Sequence, residues 1–235
     1  MLKAKIETAC TECALSRLCL PVALSEEDVA LLEEIIDRPK PLSRGDYLYQ
    51  AGDKFEALYV VRSGAVKTFA VDPGGTEQIT GFYLPGELFG LSAINEPRQN
   101  ASAQALERTN LCILPYAELD RLCGSVPSLA RQIMKVMSDE IREDHALLTL
   151  VSKKRAESRL ATFLLSIAQR LKKRKLPDDS FQLSMSRSDI GNYLGLAEET
   201  VSRMFTRFQE EGLVTVQRKQ VELLDHERLQ QVCDS

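Results

Sequence analysis

The chain has 235 residues, enough for two domains of ordinary size, and 44% of them are hydrophobic, so it can bury real cores. Its net charge of −4 does not indicate a nucleic-acid binder, but residues 1–150 carry 15 Lys and Arg against 22 Asp and Glu, whereas residues 151–235 carry 15 against 12. No stretch of about 18 apolar residues is present and residues 1–8 contain no apolar run, so we expect a cytoplasmic protein with no signal peptide and no membrane partner.

Three of the six cysteines lie within ten residues, in the pattern C-x2-C-x5-C formed by Cys10, Cys13 and Cys19. In a reducing cytosol, closely spaced cysteines favour metal or redox chemistry over structural disulfides. A tetrahedral zinc ion or an iron–sulfur cluster needs a fourth ligand. The candidates for that ligand are Cys112, Cys123 and Cys233. The residue types alone leave zinc, a cluster and a thiol–disulfide pair open.

A change of pattern marks residues 40–115, where short runs of Val, Ile, Leu, Tyr and Phe are separated by glycines. This punctuation predicts many short strands joined by tight turns, as in a compact β barrel or roll. The Asp-Pro-Gly-Gly sequence at 72–75 is one such turn, and Cys112 lies in a late strand. Ahead of this region, Ser25 followed by three acidic residues predicts the start of a short helix.

A long helix should begin at Pro127 and run to about Val151. Six positions along it follow the alternating three- and four-residue steps of a two-stranded coiled coil, namely Met134, Met137, Ile141, Asp144, Leu148 and Val151. The apolar positions predict a dimer interface, and the alternative is a helix that packs on its own domain. Asp144 would face its counterpart in the dimer, where two carboxylates repel each other and lose water. The sequence therefore predicts a dimer of marginal stability that a conformational signal can switch.

The C-terminal third carries the most specific pattern. After a predicted helix at 153–175, Ser186 and Asp189 form the sequence signature of a capping box for a short helix. Gly195 then predicts a tight turn, and a second helix is expected at 198–211. Two short strands joined by a basic turn follow as a wing. This order predicts a winged helix-turn-helix.

Three residues of the second helix, Glu199, Ser202 and Arg203, share one face because they are three and four positions apart. Arg can donate to guanine O6 and N7, Glu can accept from cytosine N4, and Ser can bond either kind of group. The alternative is an ordinary surface salt bridge between Glu199 and Arg203. Their place between the turn glycine and the wing favours docking in the major groove of double-stranded DNA.

This order of a sensor barrel, a long helix and a winged helix-turn-helix resembles the CRP/FNR superfamily of bacterial regulators over essentially the full chain. The cysteine spacing, the E-x-x-S-R motif and the I-G-N-Y-L-G-L sequence at 190–196 resemble its oxygen-sensing FNR branch, including the ANR proteins. The resemblance implies an α+β fold with an N-terminal cyclic-nucleotide-binding-like β-roll, a long dimerisation helix and a C-terminal winged helix-turn-helix. The expected boundaries are a cysteine-rich arm at 1–20, the β-roll at 21–124, the dimerisation helix at 125–152 and the DNA-binding domain at 153–235.

The resemblance further implies that Cys10, Cys13, Cys19 and Cys112 hold a 4Fe–4S cluster when oxygen is absent. The loaded protein would be a homodimer that binds palindromic DNA with TTGAT-like half-sites, and oxygen would destroy the cluster and return the protein to monomers. RNA polymerase is an implied partner, contacted through exposed β-roll loops such as 72–77. A cluster-free thiol–disulfide sensor and a zinc-stabilised regulator of the same fold are the alternatives.

Other ligands and an enzymatic role are not expected. Cyclic-nucleotide binders of the superfamily carry a glutamate soon after a G-E-x-x-G stretch and later an Arg-Ser pair. Here the G-E-L-F-G at 86–90 is followed by Leu91, and residues 99–101 read Gln-Asn-Ala. A buried cyclic phosphate would lack its counter-charge, so we expect no cyclic nucleotide. The two histidines do not indicate a haem site, and the usual catalytic motifs are absent from the sequence, so we expect no enzyme.

Overall fold

The structure is a computed structural model that describes residues 9–16 and 19–234. The chain divides into two compact units, residues 1–140 and 141–235. Part of the predicted arm (1–8, 17 and 18), with the expected absence of a signal peptide at 1–8, lies outside the described residues, as does Ser235. No helix in the described part combines the length and apolar composition that crossing a bilayer requires.

Two antiparallel sheets form the β-roll of the first unit. Its strands are β1 Tyr47–Tyr49, β2 Ala57–Ser63, β3 Val66–Val71, β4 Glu77–Tyr83, β5 Leu88–Phe89, β6 Ser102–Ala105 and β7 Asn110–Pro115. One sheet has the order β1-β6-β3-β4 and the other β5-β2-β7. The β-roll predicted from the sequence is confirmed, as is the turn at 72–75 between β3 and β4.

Helices and short turns close this roll. The helices are α1 Glu26–Ile35, α2 Tyr116–Ser125 and α3 Pro127–Lys153, and 3-10 turns lie at Cys10–Glu12, Leu20–Ala23 and Leu91–Ala93. Ser25 caps α1 as predicted, because its hydroxyl oxygen accepts a hydrogen bond from the N–H of Asp28 at 3.2 Å. The sequence pattern does not predict α2, which follows β7 directly.

One apolar cluster joins these helices to the smaller sheet. Its innermost side chains are at most 1% exposed, and they are Leu32, Leu58, Leu114, Leu119 and Leu129. Burying a leucine side chain fully contributes about 1.5–3 kcal/mol, so this cluster is a main source of the first unit's stability. The cluster contains side chains from α1, α2, α3, β2 and β7. Because a protein interior is close-packed, a displacement of β7 would also displace α3.

Helix α3 presents large apolar side chains to solvent. Met134 is 67% exposed, Ile141 54% and Leu148 63%. Asp144 is also exposed, whereas Val151 is half-buried and Met137 packs partly against the core of the first unit. The predicted interface positions therefore include three side chains that a partner could still bury, and the interface itself stays a prediction.

The second unit contains the predicted winged helix-turn-helix. Its elements are α4 Ala156–Lys173, β8 Ser180–Gln182, α5 Arg187–Leu194, α6 Glu198–Glu210, β9 Val214–Gln217, β10 Gln220–Leu223 and α7 His226–Asp234. Helices α5 and α6 are the two predicted helices, and β9 and β10 are the wing. Strand β8 completes a sheet of order β8-β10-β9. The sequence does not predict β8 or α7. Helix α7 packs against α4, and its Leu229 is buried.

The turn between α5 and α6 is fixed locally. The predicted capping box is present, with the hydroxyl of Ser186 accepting from the N–H of Asp189 at 3.0 Å and the carboxylate of Asp189 accepting from the N–H of Ser186 at 2.9 Å. Gly195 ends α5 at a φ of 63°, which glycine adopts without strain. A Cβ at Gly191 would lie 2.6 Å from the carbonyl oxygen of Leu196, so a side chain there would push the turn away from α5.

Candidate metal centre and nucleic-acid interface

The four predicted cysteines line one pocket of the first unit. Cys10 begins the first 3-10 turn of the arm, Cys13 follows its last residue, and Cys19 precedes the second turn. Cys112 comes from the middle of β7. The pocket is partly open to solvent. All six cysteines are reduced thiols, and those outside the pocket lining are Cys123 and Cys233.

The four thiols line the same pocket but do not lie close enough together to act as ligands of one metal ion. Among residues 9–16 and 19–234, no three His, Cys, Asp or Glu side chains are close enough to hold one metal ion. Among the residues that the structure describes, the charged ones in the lining are Arg38 and Arg62. Thiolates are the donors that iron–sulfur clusters and structural zinc use, and two cations beside them suit an anionic thiolate-bound centre. The donor set therefore fits such a centre, provided that the arm closes on Cys112.

Burial controls the protonation of these thiols. It raises the pKa of Cys19 to about 12 and also raises the pKa of Cys10 and Cys112. The Arg38 guanidinium acts in the opposite direction on Cys10 and Cys112, but burial outweighs it. These thiols are therefore protonated at neutral pH when no metal is bound. Metal binding has to displace the protons, so the affinity for metal falls as the pH falls.

An ion pair that sequence reasoning missed ties the arm to the β-roll. Arg38 donates to the carboxylate of Glu33 through Nη1 at 2.5 Å and Nη2 at 2.8 Å, and its Nη2 lies 3.7 Å from the sulfur of Cys10. Glu33 also accepts a hydrogen bond from the N–H of Cys10 at 2.9 Å. No sequence signal reveals this contact, since Cys10 is 23 positions from Glu33 and 28 from Arg38.

The region expected to differ from cyclic-nucleotide binders is filled by contacts of the roll itself. Leu91 is buried, and Arg98 donates to the carbonyl of Gly52 at 2.6 Å. Asn100 donates to the carbonyl of Ser92 at 3.0 Å. The absence of a cyclic nucleotide stays a prediction, now with the added observation that Arg98 is already hydrogen-bonded to the backbone.

Helix α6 separates a buried face from an exposed one. Val201, Met204, Phe205 and Phe208 are buried, whereas Glu199, Ser202 and Arg203 are all exposed. Within the described part of the chain, Glu199 and Arg203 form no ion pair with each other or with another residue. The alternative salt bridge between Glu199 and Arg203 is thus not formed in the structure, and the docking of this face on DNA stays a prediction.

Arginines that sequence reasoning did not single out hold this face in place. The guanidinium of Arg159 donates to the carbonyls of Leu194 at 3.0 Å and Gly195 at 3.3 Å, at the end of α5. It also donates to the carbonyl of Lys154 at 2.9 Å, just after α3. One side chain on α4 thus joins the end of the long helix to the turn of the helix-turn-helix.

A second set of contacts fixes α6 itself. Arg207 donates to Glu157 of α4 at 2.6 Å and to Glu211 at 2.7 Å. Arg187, at the start of α5, lies 3.3 Å from the ring centroid of Phe205, and burial lowers its pKa to about 10. These contacts make α5, α6 and the start of α4 one rigid support for Glu199, Ser202 and Arg203.

Comparison with known proteins agrees with this architecture. The family described as "Cyclic nucleotide-binding domain" matches residues 39–125, and the "Crp-like helix-turn-helix domain" matches residues 158–232. The solved structure of FixK2 from Bradyrhizobium japonicum is similar, with a TM-score of 0.77 and 30% identity, covering 84% of this chain and 97% of that one.

Curated relatives match nearly the whole chain. The transcriptional activator protein Anr of Pseudomonas protegens is 50% identical over 224 residues, which is 95% of this chain and 92% of the relative. The fumarate and nitrate reduction regulatory protein of Escherichia coli is 42% identical over 223 residues, which is 95% of this chain and 89% of the relative. The chain therefore belongs to the CRP/FNR family, whose members are dimeric DNA-binding transcription regulators and not enzymes.

Proposed function

We propose that this protein is an oxygen-responsive transcription activator in which Cys10, Cys13, Cys19 and Cys112 hold a 4Fe–4S cluster while oxygen is absent. The observation that carries this proposal is that cysteines from the arm and from the distant strand β7 line one pocket. When bound, the cluster supplies an oxygen-labile link between these two segments. The names of the Pseudomonas and Escherichia relatives, which refer to activation and to fumarate and nitrate reduction, support this proposal.

The packing of the first unit offers a route from the cysteines to α3. Cys19 and Cys112 pack against the same apolar cluster that contains Leu129 and Ile133 of α3, with Met137 at its edge. Drawing the arm onto β7 has to rearrange this shared packing, because a close-packed interior transmits small displacements. We infer that the rearrangement reseats α3 and changes how its exposed face meets a second chain.

The exposed face of α3 is the proposed dimer interface. Met134, Ile141 and Leu148 retain more than half of their surface in a single chain, so a partner helix can bury them. Asp144 lies between two of them, and although its side chain is exposed, partial desolvation raises its pKa in the single chain. The apolar side chains favour the dimer and Asp144 opposes it, which leaves an equilibrium that a modest structural push can shift.

The dimer would place two α6 helices in successive major grooves, so its site is an inverted repeat. Arg203 would bond guanine and Glu199 would accept from cytosine, with Ser202 beside them. The turn at 72–75 is exposed on the β-roll, and with the rest of the 72–77 loop it is the proposed contact for RNA polymerase.

The alternatives with the same fold make different predictions. A thiol–disulfide sensor needs a reactive thiolate, and burial works against this by raising the pKa of Cys10, Cys19 and Cys112. A zinc-stabilised regulator uses the same four thiols, but zinc has no colour and does not respond to air.

Cys112→Ser tests the proposal, with Cys123→Ser as its matched control, because Cys123 packs against the same apolar cluster without lining the pocket. Both variants are reconstituted with iron and sulfide under nitrogen, and binding to a duplex with TTGAT-like inverted repeats is followed by fluorescence anisotropy. Cys123→Ser should bind and lose binding in air, like the parent protein. Cys112→Ser should not bind under nitrogen. Normal iron content and DNA binding in Cys112→Ser would refute the assignment of the fourth ligand.

A further inference from the structure

Arg38 lines the cysteine pocket and contacts the sulfur of Cys10. Its side chain is 14% exposed, and that of its partner Glu33 is 28% exposed. Arg38 Nε is buried and has no hydrogen-bond partner among the described residues. Both terminal nitrogens of this guanidinium are paired, but its third donor is buried without an acceptor. A buried donor without an acceptor costs free energy, which a purely structural ion pair would not need to bear. This cost indicates that the guanidinium has a further acceptor to meet.

The contacts of Arg38 and Glu33 hold Cys10 at two points. Glu33 accepts from the backbone N–H of Cys10, and Arg38 Nη2 lies 3.7 Å from its sulfur. The carboxylate of Glu33 therefore joins the guanidinium of Arg38 to the backbone of Cys10. Arg38 also lines the pocket together with Cys112, the cysteine that β7 contributes.

We propose that Arg38, held by Glu33, is the positioning and charge-compensating residue of the metal centre. In the metal-free protein it fastens Cys10 at the pocket, and in the loaded protein its guanidinium donates to the sulfur of that centre. The second half rests on the proposed function, whereas the first half does not. Arginine suits both tasks because its planar fork holds a carboxylate with two donors and leaves others free. Hydrogen bonds and charge beside cluster sulfurs are among the factors that set reduction potential.

Two substitutions separate the tasks. Arg38→Lys keeps the positive charge but loses the planar guanidinium that donates two parallel hydrogen bonds, while Arg38→Gln loses both. Lys54→Gln is the matched control, because it removes one positive charge from the same β-roll at a residue that does not line the pocket. Thermal unfolding of each variant checks that the β-roll stays folded.

The first readout uses the metal-free protein under reducing conditions. Alkylation of Cys10 by iodoacetamide is timed by peptide mass spectrometry. Losing the cation alone would slow alkylation, since the guanidinium favours the reactive thiolate. Release of the arm should instead accelerate it about tenfold in both Arg38 variants, the factor expected for one lost charge-assisted hydrogen bond. Unchanged or slower alkylation in both variants would overturn the positioning role.

The second readout uses protein reconstituted under nitrogen, with the reduction potential followed by optical titration. A nearby cation stabilises the more reduced, more negative state. The potential should therefore move to more negative values in Arg38→Gln and stay near that of the parent protein in Arg38→Lys and Lys54→Gln. An unchanged potential in a fully loaded Arg38→Gln would overturn the charge role. If the parent protein takes up no iron, while Cys10 is alkylated faster in the Arg38 variants, the cluster proposal fails and the positioning role stands.

Discussion

Replacing Ile141 with alanine should weaken the dimer without harming the single chain. Ile141 is 54% exposed in the single chain, so about half of its surface remains to be buried by a partner. Full burial of an isoleucine side chain is worth about 1.5–3 kcal/mol, which leaves about 1 kcal/mol for the interface. A symmetric dimer contains this position twice, so Ile141→Ala should cost about 2 kcal/mol and raise the dimer Kd about 30-fold.

Sedimentation equilibrium under nitrogen, with loaded protein at several concentrations, measures this Kd. Leu176→Ala is the matched control, because Leu176 is also an exposed apolar side chain, at 43%, but lies beyond α4 and outside the predicted interface. The thermal midpoint of the monomer should change little in either variant. A change of less than about threefold in the dimer Kd of Ile141→Ala, or an equal change in Leu176→Ala, would refute the assignment of the interface.

Three other substitutions test the dimerisation switch and the winged helix-turn-helix. Asp144→Ala should leave a dimer in air. Partial desolvation raises the pKa of Asp144, and protonation removes the repulsion between the two carboxylates, so the weak self-association of the parent protein in air should strengthen as the pH falls through that raised pKa; sedimentation at several pH values checks both. Arg203→Ala should cost about 1–3 kcal/mol on the specific site and little on random duplex, whereas an equal loss on both would make Arg203 a phosphate contact. Arg159→Gln removes the bonds to Leu194 and Gly195, so specific DNA affinity should fall while dimerisation persists; unchanged affinity would exclude its positioning role.

Local sequence patterns predicted the helix-turn-helix well because its structure depends on residues that are close together in the sequence. The capping box of Ser186 and Asp189 spans three positions, and the φ of Gly195 is a property of the turn itself. The short helices α2 and α7 were missed. Each has apolar residues at the helical i, i+3, i+4 spacing, but α2 is 10 residues long and α7 is 9, which is shorter than the window of about 11–18 residues over which such a repeat identifies a helix.

The candidate metal site shows where sequence reasoning stops. The spacing of Cys10, Cys13 and Cys19 indicates a thiol cluster, but only the fold brings Cys112 to the same pocket. The Glu33–Arg38 pair has no sequence signature at all, since it approaches Cys10 through tertiary packing. The heptad spacing of α3 likewise cannot separate the exposed positions from Met137, which is shared with the core of its own unit.

The proposed cluster is tested by purifying the protein under nitrogen, recording its absorbance spectrum with iron and sulfide contents, and then admitting air slowly. We expect a brown protein with about four irons per chain that bleaches in air and loses its affinity for the DNA site as it does so. A colourless, iron-free protein that still binds the same site, in nitrogen and in air alike, would contradict it.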